Sequence, residues 1–162
     1  EGVPYWDGGY MGNPSIWPLI YKSSCQDVLL VQINPIKRSG TPKHALDIIN
    51  RVNEISFNSS LVAEMRAINF VRKLIESGRL ANNEYADMRM HRVMPPHDLR
   101  EMNAASKMNA NWEFFELLYG VGRQQMDDWL KENKKHIGKK ATLDIEQHFL
   151  AKTQPNKMKA IV

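Results

Sequence analysis

"DVLLVQINPI", residues 27–36, is the stretch on which the fold turns. Its apolar residues run almost without a break, several are β-branched, and Asn34-Pro35 stops the run. A strand with one wet face alternates apolar and polar residues. A near-continuous run is instead expected of a strand buried on both faces of a mostly parallel sheet. The expected fold class is therefore α/β.

Toward the C-terminus, Thr41-Pro42 supplies an N-cap followed by proline at the first helical position, and Ala45, Ile48, Ile49, Val52 and Ile55 recur at helical spacing. Leu61, Met65, Ile68, Val71 and Ile75 continue that period to Gly78, a good helix stop. Asn58-Ser59-Ser60 leaves open whether this is one long helix or two. "MRMHRV", residues 88–93, reads as a further strand ended by Pro95-Pro96. A last helix is expected from about Asn111 to Asn133, with Trp112, Phe115, Leu118, Val121 and Trp129 on its buried face. No strong pattern follows Ile145.

Toward the N-terminus, Pro14 to Tyr21 reads as a short helix or an irregular segment, and Val3 to Trp6 as a short strand that delivers Asp7-Gly8-Gly9. Asp7 has two readings. It is a turn residue, because Asp caps local backbone donors and Gly accepts positive φ, or it is a catalytic carboxylate on a strand-end loop. Three strands beside so much amphipathic helix make a lopsided inventory, since parallel strands need neighbours and crossovers. The chain reads as the second half of an α/β domain.

The 162 residues, 43% hydrophobic and 25% charged, suit a folded domain rather than a disordered chain. The longest apolar run, Val28 to Val31, is far short of the roughly 18 residues of a membrane span, and no signal peptide is expected. The single Cys25 excludes an intrachain disulfide and a multi-cysteine zinc site, suits a reducing, cytoplasmic setting, and is expected as a small buried hydrophobe. His44, His91, His97, His136 and His148 form no zinc-type pair, so no metal is expected and these residues read as surface or hydrogen-bonded histidines. Of 22 basic residues, eight fall in 131–162 against Glu132, Asp144 and Glu146, which leaves 14 basic and 15 acidic residues before them. This basic tail reads as a solvated surface, and without interleaved aromatics it does not mark a nucleic-acid binder. The amphipathic stretch at 42–77 and the nine methionines read as core packing, with a lipid-facing lid as the alternative.

"DGGYMGNP" (7–14), "DVLLVQINPIKR" (27–38) and "RVNEISFNSSLVAEMRAINFV" (51–71) together resemble the C-terminal part of bacterial patatin-like phospholipases. "SKMNANWEFFELL" (106–118), Gly122-Arg123, Trp129-Leu130 and "GKKATLDI" (138–145) extend the resemblance to roughly residues 3–145. It implies a Rossmann-like α/β sandwich, incomplete here: residues 1–95 are its C-terminal part, 96–145 a helical extension and 146–162 the basic tail. It also implies a Ser-Asp dyad in which the aspartate of a D-G-G motif serves a serine in a G-x-S-x-G elbow. The matching positions are Asp7, as catalytic base, with Gly8 and Gly9 as motif glycines.

The departure from that pattern is the nucleophile. Gly8 and Gly12 have the elbow's spacing, but Tyr10 stands between them, and the family's glycine-rich oxyanion segment has no counterpart. Ser23, Ser24, Ser39, Ser56, Ser59, Ser60, Ser77 and Ser106 read as caps, turns and helix-surface residues. The expectation is a fragment of a serine lipid acyl hydrolase that needs no cofactor. Its implied partners are a nucleophile-bearing N-terminal half of the same protein and a lipid or ester substrate. Peripheral membrane contact and self-association stay open. The rival expectation is a non-catalytic protein of the same fold that binds a partner or a membrane.

Overall fold

The structure, a computed structural model, describes residues 2–81, 85–100, 102, 106 and 108–150. It is a mixed helix and strand architecture around a two-strand parallel sheet. β1 (Asp27–Val31) and β2 (Arg89–Val93) pair in the register Asp27 to Arg89 through Val31 to Val93. The ladder runs on through Arg89 N to Gln26 O at 2.8 Å and Gln32 N to Val93 O at 3.0 Å. Parallel strands cannot be joined by a tight turn, and the crossover here contains α2 (Ala45–Glu76).

α2 is one continuous helix of 32 residues, which resolves the open reading at Asn58-Ser59-Ser60. Each polar side chain in that triplet finds a partner without breaking the helix. The Asn58 amide reaches the Pro35 carbonyl at 2.9 Å, and the Ser59 and Ser60 hydroxyls bond back to the carbonyls of Ser56 and Phe57. The helix begins later than expected: His44 is its N-cap, so Thr41-Pro42 lies in the preceding loop. It ends where expected, with Gly78 at φ +69° just past Ser77.

The core lies on one face of the sheet. Leu61, Met65 and Ile68 of α2 close over Leu30 of β1 and Met90 of β2, joined by Ile16, Met88, Leu143, Ile145 and Phe149. Each such side chain contributes about 1.5–3 kcal/mol on full burial. The expectation of a strand buried on both faces is corrected: Leu29, Val31 and the following Ile33 are exposed. The half of α2 before Phe57 departs too, because Ile48, Ile49, Val52 and Ile55 are exposed despite their helical spacing.

Two further expectations are corrected by the structure. Residues 3–6 form no strand, and their side chains are exposed. Cys25 is also exposed rather than buried. The short helix α1 (Trp17–Lys22) starts on Glu64, whose Oε2 accepts from Ile16 N at 2.6 Å and Trp17 N at 3.0 Å. Pro18 falls in its first turn, where a missing N–H costs nothing.

After β2 come the single turn α3 (His97–Arg100) and α4 (Trp112–Asn133). Asn111 caps α4 by accepting from Glu113 N at 2.8 Å. The expected buried face of α4 is only partly inward: Trp112 and Phe115 are exposed, while Val121 and Trp129 are half-buried. A π-helical turn, Glu146–Leu150, packs back on α2 through Phe149 and through Glu146 paired with Lys73. Of the basic tail, residues 151–162 lie outside the described residues.

Candidate functional site

Asp7 sits at the N-cap of a 3-10 turn, Gly8–Tyr10, and its Oδ1 accepts the Gly9 N–H at 2.8 Å. Among the described residues that is the carboxylate's only hydrogen bond, so Oδ2 is free on an exposed turn. The geometry satisfies both readings of this residue. It is a turn cap, and it also offers one fixed and one available carboxylate oxygen.

The turn is docked on the middle of α2 at successive helical steps. Tyr10 packs on Phe57, with ring centroids 5.2 Å apart, Asn13 N reaches Ser60 Oγ at 3.1 Å, and Glu64 holds Ile16 and Trp17. The motif glycines differ in what surrounds them. A Cβ on Gly8 would meet nothing within 4 Å, whereas one on Gly9 would stand 3.2 Å from both Asp7 Oδ1 and Phe57 Cε1. Neither has a positive φ, so the demand for glycine at position 9 is close approach rather than backbone conformation.

Phe57 has a second neighbour. It lines an apolar groove of about 690 Å³, together with Val31, Ile33, Val93, Leu118 and Val121. The groove lies past the carboxyl ends of β1 and β2, walled by α2 on one side and α4 on the other. Ligands of open parallel sheets bind outside that end of the strands. Glu54, on the groove wall, is held by Arg38 and Arg51 and lies below the usual carboxylate range although burial opposes that shift.

A second polar constellation sits at the opposite end of β1. Buried His91 places Nδ1 2.8 Å from Thr142 Oγ1 and Nε2 3.0 Å from Asp27 Oδ1. Hydroxyl, imidazole and carboxylate in that order have the outline of a hydrolytic triad. The acid is fully engaged elsewhere, however: Arg89 donates to both Asp27 oxygens and the Gly138 N–H to Oδ1 at 2.9 Å. Led by the Arg89 bonds, these hold Asp27 well below the ordinary carboxylate range. This network joins β1, β2 and the segment after α4, with Trp129 edge-on to the imidazole at 5.7 Å.

Neither a family model, nor a curated protein, nor a solved structure matches this chain.

The structure brings Asp7, Gly8 and Gly9 together with Phe57, which the sequence reading had not singled out. No described serine, threonine or cysteine side chain is hydrogen-bonded to Asp7. No three His, Cys, Asp or Glu among the described residues are grouped to hold a metal ion. No described helix is long and apolar enough to cross a membrane. The triad-shaped network had a sequence signal that passed unused. Arg89 and His91, two apart in a strand, share a face, and the register sets them beside Asp27.

Proposed function

We propose that this chain is the C-terminal portion of a serine lipid acyl hydrolase of the patatin-like class, with Asp7 as its general base. The observation that carries the reading is the Asp7 carboxylate, fixed at Oδ1 by Gly9 and open at Oδ2, on a turn packed against a wall residue of an apolar groove. A serine hydroxyl is a poor nucleophile until a base takes its proton during attack. Asp7 Oδ2 would take that proton as the serine oxygen bonds to the ester carbonyl carbon. Protonated Asp7 then returns it to the leaving alkoxide, and an acyl-serine remains. In the second half the same carboxylate takes a proton from water, whose oxygen attacks the acyl carbon. The acyl–serine bond breaks, the serine oxygen regains the proton, and a fatty acid leaves.

The serine and its oxyanion donors would come from an N-terminal half. Exposed Val31 and Ile33 on the sheet and Ile49, Val52 and Ile55 on α2 supply apolar surface for that half to cover. The same surface also suits the rival reading, a non-catalytic protein that docks a partner through it. One experiment separates them. The 162-residue chain alone should neither hydrolyse p-nitrophenyl esters above the buffer rate nor react with a fluorophosphonate probe. Combined with a G-x-S-x-G half it should gain both activities, and Asp7→Asn should then lower kcat/KM by at least about 100-fold at unchanged Tm. Near-native kcat/KM in Asp7→Asn returns Asp7 to a turn cap. Specific labelling of one serine in the lone chain overturns the two-part reading.

A further inference from the structure

α4 turns Leu118, Val121 and Gln125 toward the groove, and its other side is bare. Trp112, Glu116, Tyr119 and Arg123 recur there every three or four residues, and all four are exposed, as are Phe115 and Gly120 beside them. A stripe at that spacing is what a helix buries against another helix. Two charges on it are unpaired. Glu116 accepts the Trp112 Nε1–H at 2.9 Å, and Arg123 donates to the Tyr119 hydroxyl at 3.2 Å with its guanidinium 5.7 Å over that ring. Among the described residues neither meets an opposite charge within ion-pair distance. The two lie on one stripe about 10 Å apart along the axis, at about 1.5 Å rise per residue, too far to pair with each other. Gly120 has no use within the chain either. Its φ is not positive, a Cβ there would meet nothing within 4 Å, and glycine weakens a helix relative to alanine.

We infer that the outer stripe of α4 is a homodimer interface, in which the helix packs antiparallel on its copy across a two-fold axis between Tyr119 and Gly120. In such a contact residue i meets residue j and j meets i. With the axis there, Glu116 faces Arg123 of the partner subunit and Arg123 faces Glu116 of the partner subunit. Tyr119 lands on Gly120 of the partner subunit, where the missing side chain lets ring and backbone approach. A parallel pairing would set Glu116 against its own copy and Arg123 against its own, so charge selects the antiparallel one. The ion pairs fix register more than affinity. Affinity comes from the rings: burying Trp112, Phe115 and Tyr119 of both copies removes on the order of 1,000 Å², the size a specific interface needs. Glu113, Glu116 and Asp127 on this side argue against an anionic membrane as the occupant. The inference uses neither Asp7 nor the groove and goes beyond the acyl hydrolase reading.

Sedimentation velocity of the 162-residue chain, from about 1 to about 100 μM, tests it. Wild type should show a monomer and dimer in exchange. Glu116→Arg and Arg123→Glu each create two like-charge contacts per dimer and should each weaken it by at least about 10-fold at unchanged circular dichroism. The double variant Glu116→Arg/Arg123→Glu restores both pairs and should recover the dimer to within about 3-fold of wild type. An equal mixture of the two single variants should form a heterodimer just as well, since one copy then carries two positive stripe charges and the other two negative ones. Gly120→Leu, a better helix former, should weaken the dimer by at least about 10-fold without loss of helix. Val52→Asp, on the exposed half of α2, and Asp7→Asn should leave the affinity within about 2-fold of wild type. A wild type that stays monomeric throughout, a double variant no better than the singles, or a dimer that dissociates on Val52→Asp but not on Glu116→Arg would each overturn the assignment.

Discussion

Asp7 and Asp27 are both aspartates hydrogen-bonded to backbone N–H groups, and their surroundings give them different work. Asp7 has one donor and a free oxygen, so replacing it removes chemistry and little stability. Its neighbours split cleanly. Gly8→Ala enters open space and should change stability by less than about 0.5 kcal/mol. Gly9→Val pushes on Asp7 and Phe57 and should cost about 1–3 kcal/mol and lower kcat/KM in the reconstituted enzyme. Asp27 has no free oxygen, and Asp27→Asn would strand Arg89 and His91 at a cost of about 3 kcal/mol, read as a lower urea midpoint at constant m. Because the folded value of Asp27 is depressed, its contribution is complete above the unfolded value of about 3.9 and fades as the pH falls toward the folded one. Wild type should therefore lose stability below about pH 4, and Asp27→Asn should show a flatter acid limb.

At the scale of elements, α2 is two helices in function though one in backbone. From Leu61 to Ile68 it is the lid of the core, with Met65 fully buried. From Ala45 to Ile55 its apolar side chains meet solvent. Met65→Ala should cost about 2–5 kcal/mol in unfolding free energy, while Val52→Ala should stay within about 0.5 kcal/mol, both from chemical denaturation of the chain alone. If a second half covers the early turns, the Val52→Ala cost should rise toward the buried range in the complex. An equal cost for the two substitutions in the lone chain would contradict the one-sided burial. Hydrophobic period alone could not tell these halves apart, since it reports which face of a helix is apolar and not what lies against it.

For the whole molecule, ten buried hydrophobic side chains stand against 26 large exposed ones among the described residues. Apolar surface left in water is surface that contact with another apolar face would stabilise. The chain alone should bind a hydrophobic dye or self-associate, and a complementary half should suppress both. A monodisperse monomer with a cooperative melt and no dye binding would count against an uncovered face.

Residues 27–31 were legible as a strand because a β-branched apolar run is a local signal, residues 88–93 more faintly through the Pro95-Pro96 that ends them, and the α2 and α4 stretches because helical period is local too. The D-G-G turn was equally legible, as Asp caps its own neighbourhood within two residues. What decided the rest is separated along the chain. Continuity through Asn58 depended on Pro35, 23 residues away, and burial of Ile16 on Glu64, 48 residues away. The pairing of Asp27 with His91 and Arg89 required the register of two strands 62 residues apart, and the groove required α2, α3 and α4 at once. Sequence sets which residues want burial and where the backbone turns. Only tertiary contact decides which of those residues obtain a partner, because burial and pairing belong to two surfaces and not to one.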